Sequence, residues 1–444
     1  MVERTLFTRR EMLKATALGL VALPSLATAA CSLKHKTFDE PKRTPYRGSD
    51  DQLLDEIERA AYDFFWNEAN GATGQVRDRA LVSGNDRRRV ASVAATGFGL
   101  TGLCIGESRG YGKATAIRER VRQTLRFLKQ QLPNEHGFFY HFVDIETGER
   151  AFKCELSSMD TSLLLCGVLT SRQHFNDAEI QDLANVIYER VDWPWMLDGG
   201  KTFSMGWKPE EGFLSSRWNV YCELMMIYLL ALGSPTHPVS SETWQAWKRP
   251  TVKFQEFEYI SGDDPLFTHQ FSQAWFDFRG KRDAYADYFT NSVTATKAHK
   301  RFCVSLHDEF HDYSAQLWGI TASDSEAGYQ AWGGPPRIGE LDGSIVPCAA
   351  GGSLPFLRQD CIEVLRTIRE CYPKAWGKYG FVDAFNPLTG WYNADVIGID
   401  VGITMVMAEN ARSQFVWNTF MKNKDALRGM ERAGFRSAGS GSGS

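Results

Sequence analysis

The sequence predicts an all-α protein whose helices form two concentric rings. Apolar periodicity of the helical kind recurs along the chain from about residue 51 to residue 433. Some segments, such as Val90–Gly106, carry apolar or small residues on every side, whereas others, such as Lys113–Leu132, are amphipathic. Buried helices that alternate with surface helices are typical of an inner and an outer ring. We therefore predict an (α/α)6 barrel, or toroid, with short β-hairpins and long aromatic-rich loops.

The individual elements support this fold class. Helices are predicted at about 51–68, 90–107, 113–132, 157–175, 177–191, 218–233, 240–249, 271–282, 287–310, 353–375 and 399–433, the last with one or two breaks. This number is close to the six pairs that such a barrel needs. Strand patterns are few, and Gly137–Ala151 is the best candidate for a hairpin.

The amino terminus, residues 1–31, predicts an export signal. Arg9 and Arg10 precede a modest apolar run and small residues, and TRREMLK resembles the twin-arginine signal. The apolar run is too short for a membrane span, so we expect a periplasmic or secreted protein. Cys31 is a candidate lipid anchor, although Thr28 stands where lipoprotein signals usually carry leucine, and lipidation stays open.

The rest of the chain divides simply. Residues 32–50 predict a polar tether, residues 51–435 a single domain, and residues 437–444 resemble an artificial Gly/Ser linker. The net charge of −4, with no basic stripe, excludes a nucleic-acid partner from our expectation. The nine cysteines form no CxxC pairs, so neither a zinc site nor a disulfide framework is expected, although an isolated bridge stays open.

Four connecting segments have an unusual composition, which indicates a carbohydrate cleft. They are rich in Trp, Phe, Gly and Asp, and they span Val191–Trp218, Phe267–Gly280, Trp318–Pro336 and Tyr379–Asp400. Loops normally lack large aromatic residues, because exposed rings favour aggregation. Aromatic faces beside carboxylates suit sugars, which present apolar C–H faces and polar hydroxyl edges. The alternative is that each ring packs in a small cluster under its loop.

Glycoside cleavage needs a protonated carboxyl that assists the leaving oxygen and a second carboxylate that activates water or attacks the sugar. No metal or organic cofactor is required. Three acids at predicted helix starts are candidates for catalysis: Glu223, Asp400 and Asp160. Glu223 precedes a long apolar run, so burial predicts a raised pKa, as a general acid requires; an interaction with the helix dipole is the alternative.

Asp160 also has a structural interpretation. Ser157 and Asp160 match a capping box, in which both side chains satisfy the free N–H groups of a helix start. The other residues predicted to bind substrate are Glu155, His141, Trp207, Arg217, Trp218, Tyr221, His269, Trp275, Asp324, Trp332, Phe385 and Trp391. The chain has no GxSxG elbow, and His141 and His269 lack helical metal spacing, so a serine hydrolase and a metalloenzyme are not favoured.

Several motifs together resemble a known family. They are ELSSMDTSLLLCGVL, DWPWMLDGGKTFSMGWKPEEGF, SPTHP, PLFTHQFSQAWFDFRG, GITASDS, YGFVDAFNP and GIDVGITMVMAEN. They are similar to the bacterial glucoamylase-like proteins of glycoside hydrolase family 144, over residues 50–435.

This resemblance implies an (α/α)6 barrel that hydrolyses β-1,2-glucan, either by endo-acting release of sophorooligosaccharides or by exo-acting release of sophorose. It also implies an inverting mechanism with Glu223 as the general acid and Asp400 as the residue that activates water. Related chains read GIDQGP where this one reads GIDVGI, so the sugar contacts after Asp400 are expected to differ. Endo action is our first expectation. The alternatives are exo action, another glucoside linkage, transglycosylation, and an exported glycan-binding protein without activity.

Overall fold

The structure, a computed structural model, describes residues 43–262 and 265–438. The predicted export signal, with Cys31, and the Gly/Ser residues from 439 onward lie outside the described residues. The predicted tether is described from residue 43, and there it packs against the domain. Arg43 Nε donates to Glu370 Oε2 at 2.7 Å, and Tyr46 N–H donates to Glu370 Oε1 at 2.9 Å. Residues 43–49 form no helix or strand, but they contact the domain through these bonds.

The helices of the described part are α1 (Asp50–Asn67), α2 (Val93–Arg109), α3 (Ala114–Gln130), α4 (Ser158–His174), α5 (Ala178–Glu189), α6 (Trp193–Leu197), α7 (Met225–Gly233), α8 (Glu242–Ala246), α9 (Tyr288–Ser305), α10 (Pro347–Gly351), α11 (Arg358–Cys371), α12 (Gly398–Arg412), α13 (Phe415–Phe420) and α14 (Lys424–Arg432). Two 3-10 turns, Leu266–His269 and Phe271–Ala274, stand between α8 and α9.

The strands are β1 (Arg79–Leu81), β2 (Val90–Ser92), β3 (Asn134–Glu135), β4 (Phe138–Phe139), β5 (Phe142–Asp144), β6 (Leu156–Ser157), β7 (Gly206–Lys208), β8 (Gly212–Phe213), β9 (Thr251–Phe254), β10 (Phe257–Ile260), β11 (Lys281–Arg282), β12 (Ser323–Ser325), β13 (Gly328–Gln330), β14 (Trp376–Gly377), β15 (Gly380–Phe381), β16 (Phe385–Asn386), β17 (Trp391–Tyr392), β18 (Asp395–Ile397) and β19 (Arg436–Ser437). All the pairings between these strands are antiparallel. The sheets are two-stranded, except for the three-stranded sheet β6–β7–β8.

The predicted (α/α)6 barrel is confirmed. The inner ring consists of α2, α4, α7, the two 3-10 turns, α10 and α12, which are buried on nearly all sides. The outer ring includes the amphipathic helices α1, α3 and α11, together with α5 and α9. Because inner and outer helices alternate along the chain, the apolar core lies between the two rings.

Two predicted helices differ from the structure. The helix predicted at 218–233 begins only at Met225, because residues 219–221 pair with the chain after α8: Tyr221 N–H donates to Lys248 O at 2.8 Å. The helix predicted at 271–282 is replaced by the 3-10 turns. There Asp277 Oδ1 accepts the Arg279 N–H at 3.0 Å, a local bond that competes with helix formation.

Smaller differences concern the short elements. The hairpin predicted at 137–151 is present around its predicted turn, where Val143 and Arg150 form an antiparallel bridge and Asp144 N–H donates to Glu149 O at 2.8 Å. Its first residues differ, because β4 pairs with β3. One or two breaks were predicted in the last helix, and the structure has two, because α12, α13 and α14 follow one another. Within the described residues, no helix is long and apolar enough to cross a membrane. The cysteines of this part are free thiols, most of them buried.

Candidate active site

The inner helices of this barrel begin at one face, because each follows an outer helix that runs in the opposite direction. Short strands lead directly into three of them: β2 into α2, β6 into α4, and β18 into α12. These strands pair with β5, β7 and β1, which fastens the connecting loops to the same face. We call this side the loop face: the starts of α2, α4, α7, α10 and α12 with the strands and loops that precede them.

The first group of site residues is the histidine cluster, His141, Glu155 and Asp160. His141 Nδ1 lies 3.3 Å from Glu155 Oε1, and His141 Nε2 lies 3.4 Å from Asp160 Oδ1. Burial alone would lower the pKa of His141, but the charges of Asp160 and Glu155 outweigh it and raise the pKa to about 9. His141 is therefore an imidazolium between two carboxylates at neutral pH.

Burial acts on Glu155 as well. It would raise the pKa of this carboxyl, but the hydrogen bond and charge of His141 outweigh it, so the pKa lies below its usual value. The three ligand-type atoms of the cluster lie within 4.8 Å of one another. Because both imidazole nitrogens face carboxylates, a protonated His141 has no lone pair to offer a metal ion, and the cluster is better described as an imidazolium held between two carboxylates.

Asp160 combines the two roles considered for it. Ser157 is the N-cap of α4 and its hydroxyl accepts the Asp160 N–H at 3.1 Å. The same hydroxyl donates to Asp160 Oδ2. The other carboxylate oxygen faces His141. The residue therefore helps to begin α4 and also presents a carboxylate at the loop face.

The second group is the acidic cluster, Asp78, Arg79, Asp324, Asp383 and Asn393. Arg79 donates to Asp78 Oδ2 at 3.2 Å and to Asp324 Oδ2 at 2.7 Å. Asn393 Nδ2 donates to Asp324 Oδ2 at 3.0 Å and to Asp383 Oδ2 at 3.3 Å. The charge of Asp78 also helps to raise the pKa of His141, so the two clusters are neighbours.

Asp400 and Glu223 occupy corresponding positions at the starts of inner helices. Asp400 is the third residue of α12 and is 4 % exposed. Glu223 lies in the turn directly before α7 and is 8 % exposed. Ser272 fixes this turn, because its hydroxyl donates to Glu223 O at 2.6 Å and accepts the Met226 N–H at 3.0 Å.

Two predicted sugar platforms keep part of their surface open. Trp207 lies in β7, paired with Leu156 of the strand that leads into α4, and its ring lies 5.7 Å from that of Trp195. Trp391 lies in β17, two residues before Asn393 of the acidic cluster. Both rings are partly exposed, so a ligand can reach them.

Other residues predicted to bind substrate are buried instead. Their exposed fractions are 0 % for Tyr221, Trp275 and Phe385, 2 % for Trp332, 3 % for His269 and 5 % for Trp218. The prediction of direct sugar contact is wrong for Tyr221, Trp275 and Phe385, since no ring face is open. Trp275 Nε1 donates to Thr101 Oγ1 at 3.0 Å, within the core.

The other three buried residues, Trp218, Trp332 and His269, pack beneath the loops of the loop face. Trp218 Nε1 donates to Ser158 Oγ at 2.8 Å, which ties the segment before α7 to the start of α4. Trp332 Nε1 donates to Ser323 Oγ at 3.2 Å, next to Asp324. Burial lowers the pKa of His269 to about 3, so this imidazole is neutral.

Arg217, also predicted to bind substrate, is engaged by its own loop. Its Nη1 donates to Leu197 O at 2.9 Å and to Thr202 O at 3.2 Å, and its Nη2 donates to Asp198 Oδ2 at 2.9 Å. This guanidinium therefore holds the connection between α6 and β7 in place.

Four members of the acidic cluster are not predicted from the sequence: Asp78, Arg79, Asp383 and Asn393. The signal for Asp383 was present in YGFVDAFNP, where an acid stands among apolar residues inside an aromatic-rich loop. Asp78 and Arg79 lie in a polar stretch that carries no such signal. Only the pairing of β1 with β18 brings them beside Asn393.

Comparisons with known proteins agree with this architecture. Residues 215–424 match the family model described as "Putative glucoamylase". An exo β-1,2-glucooligosaccharide sophorohydrolase of Parabacteroides distasonis is 27 % identical over 432 residues, which cover 88 % of this chain and 58 % of that protein. The chain therefore spans little more than half the length of this curated relative.

Two solved structures are similar over nearly their whole length. A glucoamylase-type protein of Bacteroides uniformis has a TM-score of 0.82 and 27 % identity, covering 88 % of this chain and 99 % of that one. An endo-β-1,2-glucanase of Chitinophaga pinensis, in complex with sophorotriose and glucose, has a TM-score of 0.81, 27 % identity and the same coverage. The family resemblance predicted from the sequence motifs is confirmed.

Proposed function

We propose that this protein is a glycoside hydrolase that cleaves β-1,2-glucan, because residues 215–424 match the glucoamylase-like family model. One observation carries the proposal: carboxyl groups stand at the starts of three inner helices, on the face that also carries Trp207 and Trp391. The sophorohydrolase and the endo-β-1,2-glucanase described above give the substrate class.

In the proposed mechanism Glu223 is the general acid and Asp400 is the general base. Glu223 gives its proton to the glycosidic oxygen while the bond from that oxygen to the anomeric carbon breaks. A water molecule forms the new bond to this carbon and passes one proton to Asp400. Exchange with solvent then returns a proton to Glu223 and removes one from Asp400, which restores the starting state.

The histidine cluster has a supporting role in this proposal. Asp160 and Glu155 are acceptors for sugar hydroxyls, and the hydrogen bond and positive charge of His141 hold the pKa of Glu155 below its usual value despite its burial. Trp207 and Trp391 provide apolar faces on which glucose rings stack. In an inverting enzyme the two catalytic carboxyl groups stand about 6.5–9.5 Å apart, which leaves room for the water molecule.

We propose endo action as the first candidate and exo-acting release of sophorose as the second. The endo-β-1,2-glucanase of C. pinensis, matched over 99 % of its chain, supports the first. The sophorohydrolase of P. distasonis supports the second. We also propose that the chain is exported, on the basis of the twin-arginine-like segment at residues 1–31.

The proposal is tested by incubating the purified protein with linear β-1,2-glucan and, in parallel, with β-1,3-, β-1,4- and α-1,4-glucans. We expect short oligosaccharides from the β-1,2-glucan alone, detected on a sizing column. E223Q should lower the rate at least about 100-fold. An unchanged β-1,2-glucan with the wild-type protein would rule out the proposed substrate.

A further inference from the structure

Asp383 is a buried carboxyl group that the proposed mechanism does not use. It is 3 % exposed, and its Oδ2 accepts the Asp324 N–H at 2.7 Å. Its Oδ1 is buried without a hydrogen-bond partner among the described residues. Asp383 and Asp400 line the same small cavity, of about 30 Å³, beside the start of α12.

The charges around Asp383 do not balance if every acid is ionised. Asp78, Asp324 and Asp383 lie around a single guanidinium, that of Arg79, and Asp400 adds a further carboxylate next to Asp383. Arg79 is already paired with Asp78 and Asp324, and no ion pair joins Asp383 to a cation in the described part of the chain. Like charges that share a buried site force one carboxyl to stay protonated.

The position of each acid indicates which one holds the proton. Asp324 forms an ion pair with Arg79 at 2.7 Å. Asp400 lies in the first turn of α12, where the helix dipole stabilises a negative charge. Asp383 lies between β15 and β16, outside any helix start, and its Oδ2 accepts hydrogen bonds from Asp324 N–H and Asn393 Nδ2 but forms no ion pair among the described residues. Burial accordingly raises the pKa of Asp383 well above its usual value, and the charges of Asp400 and Asp324 raise it further.

We infer that Asp383 is a positioning residue that acts as a neutral acid and keeps Asp400 in the ionised form that activates water. The inference rests on the proposed function. A neutral Asp383 removes a like charge from the surroundings of Asp400, and its O–H is a donor within the shared cavity. The other titratable groups that face Asp383 are Asp324, Arg79, and the Tyr379 and Cys348 side chains that line the cavity.

Two substitutions test this role. An asparagine at this position is neutral, close in size and still a donor, so D383N should keep at least about a third of the wild-type kcat. D383A removes the donor to a charged group, so kcat should fall about 10- to 100-fold with little change in KM. The acid limb of the kcat profile should move to higher pH in D383A and stay in place in D383N. A loss in D383N as large as that in D400N would overturn the inference.

An infrared measurement tests the protonation state without any substrate. The difference spectrum between the wild-type protein and D383N at neutral pH should contain the C=O band of a protonated carboxyl group. D277N is the matched control: burial would raise the pKa of Asp277, but the hydrogen bonds of Arg279 outweigh it and hold this pKa below its usual value, so the difference spectrum of D277N should lack this band. Absence of the band with D383N would overturn the inference. The infrared measurement needs no substrate, so it tests the protonation of Asp383 even if β-1,2-glucan is not cleaved. A failure of this inference can therefore be distinguished from a failure of the proposed function.

Discussion

Glu223 and Asp400 are both buried acids at inner-helix starts, yet the proposed mechanism gives them different tasks, and the difference can be measured. A general acid matters most when the leaving group is a poor one. E223Q should therefore lose at least about 100-fold in kcat on β-1,2-glucan and clearly less on an aryl β-sophoroside, whose phenolate leaves without a proton. D400N should lose activity on both substrates.

E211Q is the matched control for this experiment. Glu211 is an exposed acid in the turn between β7 and β8, on the same long connection as Glu223. We expect its rates to stay within about twofold of the wild type, as for most surface substitutions. Equal losses of E223Q on both substrates would contradict the role of general acid.

His141 gives the protein a predictable pH dependence. Its pKa in the folded state, about 9, lies above the ordinary value of 6.5, so its contribution to stability is complete below about pH 6.5. This contribution is lost as the pH rises through about 9. In urea unfolding, the wild-type free energy of unfolding should fall by on the order of 2 kcal/mol across this range, and H141Q should lack this component.

His136 provides the comparison for that measurement. It lies five residues away, in the turn between β3 and β4, and its side chain is 45 % exposed. H136Q should show the same pH dependence of unfolding as the wild type. If H141Q and the wild type lose stability in parallel above neutral pH, His141 does not carry the charge that the histidine cluster requires.

At single residues, the sequence could predict acids at helix starts better than aromatic contacts. Glu223, Asp400 and Asp160 were identified because each precedes an apolar helical run, and all three lie at the loop face. Trp275 was misassigned because composition does not show in which direction a loop residue points. Its indole enters the core and hydrogen-bonds Thr101 of α2.

Among the helices, the contact between α2 and α4 depends on glycine. A Cβ atom at Gly167 would lie 2.0 Å from Gly97 O, so the two backbones touch. G167A should therefore lower the free energy of unfolding by about 1–3 kcal/mol, because the helices must separate. It should also lower activity, since α4 carries Asp160. Denaturant unfolding and the rate on β-1,2-glucan measure the two effects.

Gly71 allows a control for the added methyl group. A Cβ atom there would meet no other atom within 4 Å. G71A should therefore change the free energy of unfolding by no more than about 0.5 kcal/mol. If G167A is as stable as G71A, the backbone contact between α2 and α4 does not set their spacing.

Long periodic helices were predicted well, whereas elements fixed by distant contacts were not. The helix from 158 to 174 carries its own cap and apolar surface in the sequence. By contrast, the start of α7 is delayed by the pairing of residues 219–221 with Lys248, which no local pattern contains. The short inner helix α10, Pro347–Gly351, is below the length at which periodicity becomes visible.

For the whole molecule, the alternation of buried and amphipathic helices was sufficient to predict the barrel. The substrate was not accessible in this way. Aromatic loops and paired acids indicate a sugar cleft, but the β-1,2 linkage entered only through the resemblance to known motifs. The fold and the linkage specificity differ in this respect for a physical reason. Helix packing follows from the periodicity of the sequence, whereas linkage specificity depends on how several loops meet at the loop face.

The mode of action is also a property of the whole cleft. If the protein is endo-acting, the mean length of β-1,2-glucan should fall steeply while few reducing ends have formed, and oligosaccharides of several lengths should appear together. Size-exclusion chromatography at early times measures this. If sophorose is the sole early product and long polymer remains, the result would contradict endo action and support exo action.

The measurement that tests the central claim most directly is proton NMR of β-1,2-glucan hydrolysis during its first minutes. A water molecule activated by Asp400 and a leaving oxygen protonated by Glu223 require inversion at the anomeric carbon. The account predicts that new reducing ends appear first as the α-anomer and then equilibrate, and that D400N produces none at a comparable rate. Initial appearance of the β-anomer, or no new reducing ends, would contradict it.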